Sequence, residues 1–201
     1  MVRHSKYGQA VSSFGFNPNR FRTFSSLEQY ELVHSTWCQL QECGFYWASI
    51  SGKEACTMLE REPTGTFLIR DSADRKHFFT LCVKTPMGTR NVRVECDNNT
   101  FFLQTDPESE RTAPRFDCVV KLVCYYMKML KQSKDNSRVS YYIYSHGEKV
   151  PLELCQPYLS RMASLQHLCR KTVNGHVDIL ANRDELPWPI KKFLKAYDAP
   201  I

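Results

Sequence analysis

The sequence predicts an α+β domain on three observations: a capped amphipathic segment opens the body of the chain, three short β-rich runs with tight turns follow, and a second amphipathic segment comes after them. Successive strands without intervening helices make an antiparallel meander, not a parallel sheet. The 201 residues leave room for one full domain with short appendages, and 42% hydrophobic with 24% charged residues is ordinary for a globular chain.

Residues 1 to 24 show no period. They carry Arg3, Lys6, Arg20 and Arg22 without an acidic residue, interleaved with Phe14, Phe16, Phe21 and Phe24. This reads as a flexible cationic arm, and four phenylalanines are more apolar area than an inert tail exposes. Ser25-Ser26-Leu27-Glu28 reads as a capping box, with Tyr30, Val33, Trp37 and Leu40 at helical spacing and a stop at Gly44, which predicts a helix over 25–43. A second box, Ser51-Gly52-Lys53-Glu54, starts a short helix that turns Ala55, Met58 and Leu59 to one face and is broken by Pro63. Thr66 to Ser72, His77 to Val83 and Asn91 to Glu95 read as three strands. Asp117 is expected to cap a helix that faces Val119, Leu122, Val123 and Tyr126 inward, before a loop over 131–140 and a strand over Tyr141 to Tyr144.

From Ala163 the character changes. Leu165, Leu168, Cys169 and Val173 recur on one helical face, a turn follows at Asn174-Gly175, and Leu186-Pro187-Trp188-Pro189 leads into a last helix with Ile190, Phe193, Leu194 and Tyr197. Forty residues of this kind must lean on another surface, because below ~70 residues a core rarely supplies more than ~3 to 5 kcal/mol.

Nine cysteines, an odd number with no C-x-x-C pair, point to reduced thiols. The first twenty residues have no continuous apolar stretch of signal type, and the longest apolar run, about 118–130, is broken by lysines, so neither export nor a membrane span is expected and the cytoplasm is the default. A net charge of +6 is modest, and no nucleic-acid partner is expected. Neither G-x-G-x-x-G nor H-R-D occurs, which excludes a protein kinase. No cysteine–histidine context of hydrolase type and no zinc-ligand spacing appears, so no catalytic residue, metal or cofactor is expected.

The chemistry concentrates on the first strand. Its two-residue period puts Leu68, Arg70 and Ser72 on one face, so Arg70 is a guanidinium inside an apolar strand, and a buried unpaired cation costs several kcal/mol. It needs an anion. An internal carboxylate is one answer. The other is a phosphate, whose three acceptor oxygens suit Arg70, the Ser72 hydroxyl and Arg93 from the third strand, and which a planar guanidinium grips with two parallel hydrogen bonds.

The run Gly65-Thr66-Phe67-Leu68-Ile69-Arg70-Asp71-Ser72, preceded by Phe45-Tyr46-Trp47 and a capped helix, resembles the strand signature of Src-homology-2 (SH2) domains, over about residues 45–155. The resemblance implies a central antiparallel sheet flanked by two helices. It also implies a phosphotyrosine site in which Arg70 takes the phosphate, Ser72 supports it and Arg93 reaches it. Many members add an arginine from the first helix; here that place is Gly52, with Lys53 beside it. Residues after the phosphotyrosine would be read near 127–145.

Ser164-Leu165-x-x-x-Cys169-x-x-x-Val173 followed by Leu186-Pro187-Trp188-Pro189-Ile190 resembles the three-helix SOCS box. That resemblance implies docking on elongin C, with elongin B, through Leu165, Leu168, Cys169 and Val173. It implies docking on a cullin of the fifth type with its RING subunit through Leu186, Pro187, Pro189 and Ile190. With Gly44-Phe45-Tyr46-Trp47, Phe116-Asp117-Cys118, the run from Leu165 to His176, and Tyr197-Asp198-Ala199-Pro200, nearly the whole chain is similar to the suppressors of cytokine signalling. The family resemblance then implies negative regulation of cytokine (JAK-STAT) signalling by a non-catalytic adaptor of a ubiquitin ligase. Arg20, Phe21, Arg22, Thr23 and Phe24 would fill the substrate groove of a Janus kinase, since a segment without tyrosine offers no hydroxyl to phosphorylate. Family members carry Leu and Lys where Phe21 and Arg22 stand, and their long proline-rich insert is here only the loop 131–140. The expected layout is an arm over 1–24, an extension helix over 25–44, an SH2 domain over 45–155 and a SOCS box over 156–201. The competing expectation is a plain SH2 adaptor whose terminal helices merely cover the domain.

Overall fold

A computed structural model describes residues 24–104, 113–133, 141–145, 148–176, 185–195 and 201. Its elements, in chain order, are α1 (Leu27–Cys43), α2 (Gly52–Leu59), β1 (Thr66–Asp71), β2 (Phe79–Thr85), β3 (Gly88–Cys96), β4 (Phe101–Leu103), α3 (Val119–Ser133), β5 (Tyr142–Ser145), β6 (Glu148–Pro151), β7 (Gln156–Pro157), α4 (Leu165–Gly175) and α5 (Trp188–Lys195).

Five strands form the central sheet in the order β4-β3-β2-β1-β7, antiparallel except for the β1–β7 edge; β5 and β6 make a separate hairpin. One face of the sheet carries Phe67, Ile69, Leu81, Val83, Val92 and Val94, buried with Val119, Val120, Leu122, Val123 and Tyr126 of α3 and with Val33 and Leu40 of α1. The other face carries Leu68 and Cys82, covered by Ala55 and Leu59 of α2. Fully burying a Leu or Phe side chain is worth about 1.5–3 kcal/mol, so the larger cluster holds the domain together and the smaller one fixes where α2 starts. That start is set by Ser51, whose hydroxyl accepts from the Glu54 N–H at 3.2 Å while the Glu54 carboxylate accepts from the Ser51 N–H at 2.7 Å.

Several boundaries differ from the sequence expectation. The first cap is Ser26, one residue later than the box read at Ser25: its hydroxyl accepts from the Gln29 N–H at 3.2 Å, while the Gln29 side-chain oxygen accepts from the Ser25 N–H at 2.9 Å. The buried stripe of α1 is accordingly Gln29, Val33, Thr36, Leu40 and Cys43, with Tyr30 and Trp37 half-buried at its margin. Cys118, not Asp117, directly precedes α3; its sulfur accepts from the Val120 N–H at 3.3 Å, and Asp117 pairs with Lys121 at 2.9 Å. The second strand starts at Phe79 instead of His77 because Asp74 folds 72–78 into a turn, its backbone oxygen accepting from the His77 N–H at 3.1 Å. The third strand runs longer than 91–95, and β4, β6 and β7 were not foreseen. Residues 131–133, expected to open a loop, are instead the last turn of α3; 134–140 lie outside the described residues, as do 177–184 and the Tyr197 to Pro200 segment.

Candidate functional site

Strand register assembles the site. Arg70 of β1 lies opposite Thr80 of β2, which lies opposite Arg93 of β3, so the three share one row on the face that α2 covers. Leu68, Cys82 and Asn91 form the adjoining row. The guanidinium of Arg70 is 5% exposed. Its Nη1 donates to the Asp71 backbone oxygen at 2.8 Å and its Nη2 to the Asn91 side-chain oxygen at 3.2 Å, while its buried Nε–H has no acceptor. Among the described residues no carboxylate pairs with it. The neighbouring Asp71 carboxylate faces the opposite side of the sheet, where the Tyr46 hydroxyl donates to it.

The roof over this cation is Gly52, the first residue of α2. A Cβ there would stand 3.2 Å from Arg70 Nη2 and 3.7 Å from Asn91 Oδ1, so the absent side chain is what lets the helix N-terminus come this close to the guanidinium. Helix N-termini favour anions through free N–H groups and the macrodipole. Lys53, the next residue, is exposed.

The turn between β1 and β2 forms the rim. The Ser72 hydroxyl accepts from the Asp74 N–H at 3.2 Å, and Asp74 holds its loop by accepting from the Lys76 N–H at 2.9 Å. Its second oxygen faces His77 Nδ1 at 3.1 Å and Arg93 Nε at 3.5 Å; His77 Nε2 meets Glu95 at 3.0 Å. The Asp74 carboxyl is held below its usual range, first by the Lys76 N–H and more weakly by His77 and Arg93, with desolvation opposing them. Arg93 is 47% exposed and also donates to Gln104 at 3.3 Å. Of the predicted phosphate ligands, Arg70 and Arg93 therefore share one row, Ser72 lies two residues beyond Arg70 in the turn, and Lys53 follows Gly52 in α2. Sequence reasoning missed Thr80, Asn91 and Asp74, which only strand register and the turn bring to the site.

Of the arm, Phe24 alone is described; Arg20, Phe21, Arg22 and Thr23 lie outside the described residues. Phe24 stacks on Phe78 at 5.3 Å between centroids and packs edge-on to Tyr30 at 5.2 Å. Phe24 thus lies beside the 72–78 turn.

The C-terminal helix α4 is inverted. His167, Arg170 and Asn174 are buried, while Leu165 is 77% exposed, Leu168 42% exposed, and Cys169 exposed, with Val173 half-buried. Its capping residue is Ser164, which accepts from the His167 N–H at 3.1 Å. Arg170 ties it down: Nη1 reaches Glu42 of α1 at 3.0 Å, Nε donates to the Phe193 carbonyl at 3.1 Å, and the guanidinium lies 4.2 Å over the Phe193 ring. Gly44 lets the chain pass, since a Cβ there would lie 2.7 Å from the Arg161 carbonyl oxygen. Pro187, Trp188, Pro189 and Ile190 are exposed and Leu186 half-buried.

Residues 45–126 match the family described as SH2 domain. Among curated proteins, Suppressor of cytokine signaling 3 of Gallus gallus is 51% identical over 209 residues and that of Homo sapiens 47% identical over 225, each alignment covering all of both chains. Suppressor of cytokine signaling 2 of Homo sapiens is 32% identical, over 96% of this chain and 89% of its own.

Proposed function

The chain belongs to the suppressor of cytokine signaling family, and from that premise we propose that it captures phosphotyrosine on cytokine receptors or their kinases through its SH2 domain. The observation that carries this reading is the buried Arg70 guanidinium, held by neutral acceptors, with an unsatisfied Nε–H and, among the described residues, no carboxylate on it. A phosphate dianion supplies the missing charge and the missing acceptor together, and the tyrosine ring supplies the reach that phosphoserine lacks.

Two further arms complete the function. Arg20 to Phe24 fill the substrate groove of a Janus kinase as a pseudosubstrate, an assignment supported by the anchoring of Phe24 beside the phosphate-site turn. The outward apolar stripe of α4, Leu165, Leu168, Cys169 and Val173, docks elongin C with elongin B, and Leu186, Pro187, Pro189 and Ile190 meet a cullin of the fifth type with its RING subunit. The inversion of α4 supports that assignment, because the helix buries its polar side chains and, among the described residues, nothing covers its leucines. The protein is then the substrate-recognition subunit of a ubiquitin ligase.

The deciding measurement is titration of wild type and Arg70→Lys with receptor phosphopeptides. Lysine cannot give the planar two-point grip, and equal affinities remove the phosphotyrosine site. Co-expression with elongins B and C, with Leu165→Asp as control, separates the ligase adaptor from a plain SH2 adaptor.

A further inference from the structure

We propose that Asn91 is the positioning residue of the phosphate site: it aims the Arg70 guanidinium with a neutral acceptor and thereby leaves its positive charge available to the ligand. This deepens the phosphotyrosine reading and rests on it.

Asn91 Oδ1 accepts from Arg70 Nη2 at 3.2 Å and from the Cys82 thiol at 2.9 Å, so the amide orientation is fixed by two donors. Burial pushes the Cys82 thiol up to about 11, against the pull of Arg70, so it stays a neutral S–H donor and adds no charge of its own. The Asp71 carbonyl takes Nη1 from the other side. The guanidinium plane is thus pinned by two uncharged oxygens, and the lack of a side chain at Gly52 spares Nη2 a Cβ contact at 3.2 Å. The choice of residue type is what matters. An aspartate at 91 has the same shape and reach as asparagine, yet would place a resident anion on the cation and fill the role reserved for phosphate.

The test uses the full chain and the tightest binder that wild type draws from a peptide library randomised around a fixed phosphotyrosine. Asn91→Asp is expected to bind about 100-fold more weakly at pH 8, from a new anion within reach of Arg70 and the phosphate. Groups that meet position 91 are Arg70 on β1 and Cys82 on β2, with Arg93 two residues further along the same face of β3 and the uncharged Gly52 at the start of α2. The incoming phosphate raises the pKa of the introduced carboxyl, so binding takes up a proton, and the deficit relative to wild type shrinks as pH falls from 8 to 5.5; taking the ratio cancels the phosphate's own titration. Asn91→Ala is expected to lose about 10-fold, flat with pH, and to lose the slowly exchanging Arg70 Nε–H signal in nitrogen-15 spectra while the backbone spectrum is kept. Asn91→Asp binding like wild type, or a deficit that does not change with pH, overturns the proposal. So does Asn91→Ala with the Nε–H signal intact. If Arg70→Lys also binds like wild type, the phosphotyrosine reading itself has failed; if only the Asn91 variants do, that reading stands without this one.

Discussion

Two buried arginines of the molecule behave differently. Arg170 is 4% exposed and is answered in full: a carboxylate from Glu42, a carbonyl from Phe193 and an aromatic ring beneath it. Arg70 is 5% exposed and is answered by neutral oxygens only, with Nε–H left over. Burial alone therefore does not separate a structural cation from a binding one. The separating feature is whether the protein provides the counter-charge, because a cation left short of an anion in low dielectric stores affinity for one.

The largest effect expected from this contrast is on binding. Arg70→Ala should lower phosphopeptide affinity by about 100-fold or more, since it removes a charge-assisted two-point contact in a desolvated site. The same change should leave thermal stability equal or raised, because it also removes an uncompensated buried charge. A calorimetric scan that shows Arg70→Ala strongly destabilised would make Arg70 another structural arginine.

Arg170→Ala should do the reverse. It leaves phosphopeptide binding unchanged and lowers stability by about 2 kcal/mol, less than a fully buried pair because the Glu42 side chain is 35% exposed. A loss of peptide affinity in this variant would erase the distinction. Leu165→Asp, on the outward face of the same helix, should change stability by less than about 0.5 kcal/mol, as substitutions at well-exposed positions do. Its consequence should appear only in elongin capture.

Acid should act on the Arg170 end as well. Burial, and behind it Lys171 and Arg170, lower the pKa of His167, while Glu42 pulls the other way. A histidine with a depressed folded pKa contributes stability that is present above its unfolded value and is lost as pH falls through that value toward the folded one. Unfolding monitored between pH 7.5 and 5 should therefore show a decline below about pH 6.5 that is flatter in His167→Asn. An unchanged slope would mean that His167 takes no part.

The two arginines were also unequally legible. Period-two alternation around Phe67, Ile69 and Asp71 places Arg70 inside a sheet from sequence alone, since the side-chain period of a strand is fixed by its backbone. Its acceptor Asn91 could not be found that way, because it reaches Arg70 only through the register of β1 on β2 and β2 on β3. The docking stripe of α4 was readable as a helical face; that its back would bury His167, Arg170 and Asn174 was not, because Arg170 is held by Glu42 of α1 and Phe193 of α5, far from it in sequence. Cap chemistry located helix starts to within a residue, and missed at Ser25 because two serines stand side by side. The two-residue strand β7 carries no local signal at all: Gln156-Pro157 pairs with β1 only because the chain must cross that edge on its way to α4.

The smallest effect tests the rim of the same site. Asp74 holds Arg93 across 3.5 Å, between side chains that are 36% and 47% exposed. A pair so accessible contributes little to stability, but it competes with phosphate for Arg93 and sets a negative charge at the mouth of a site meant for a dianion. Asp74→Asn keeps an oxygen for the Lys76 N–H and removes the charge, so it should tighten phosphopeptide binding by about 2- to 3-fold at low salt, and the gain should fade above ~0.5 M salt as screening sets in. Weakened binding would instead mean that Asp74 serves the site by shaping the 72–78 turn, and that Arg93 reaches phosphate only when this carboxylate holds it in place.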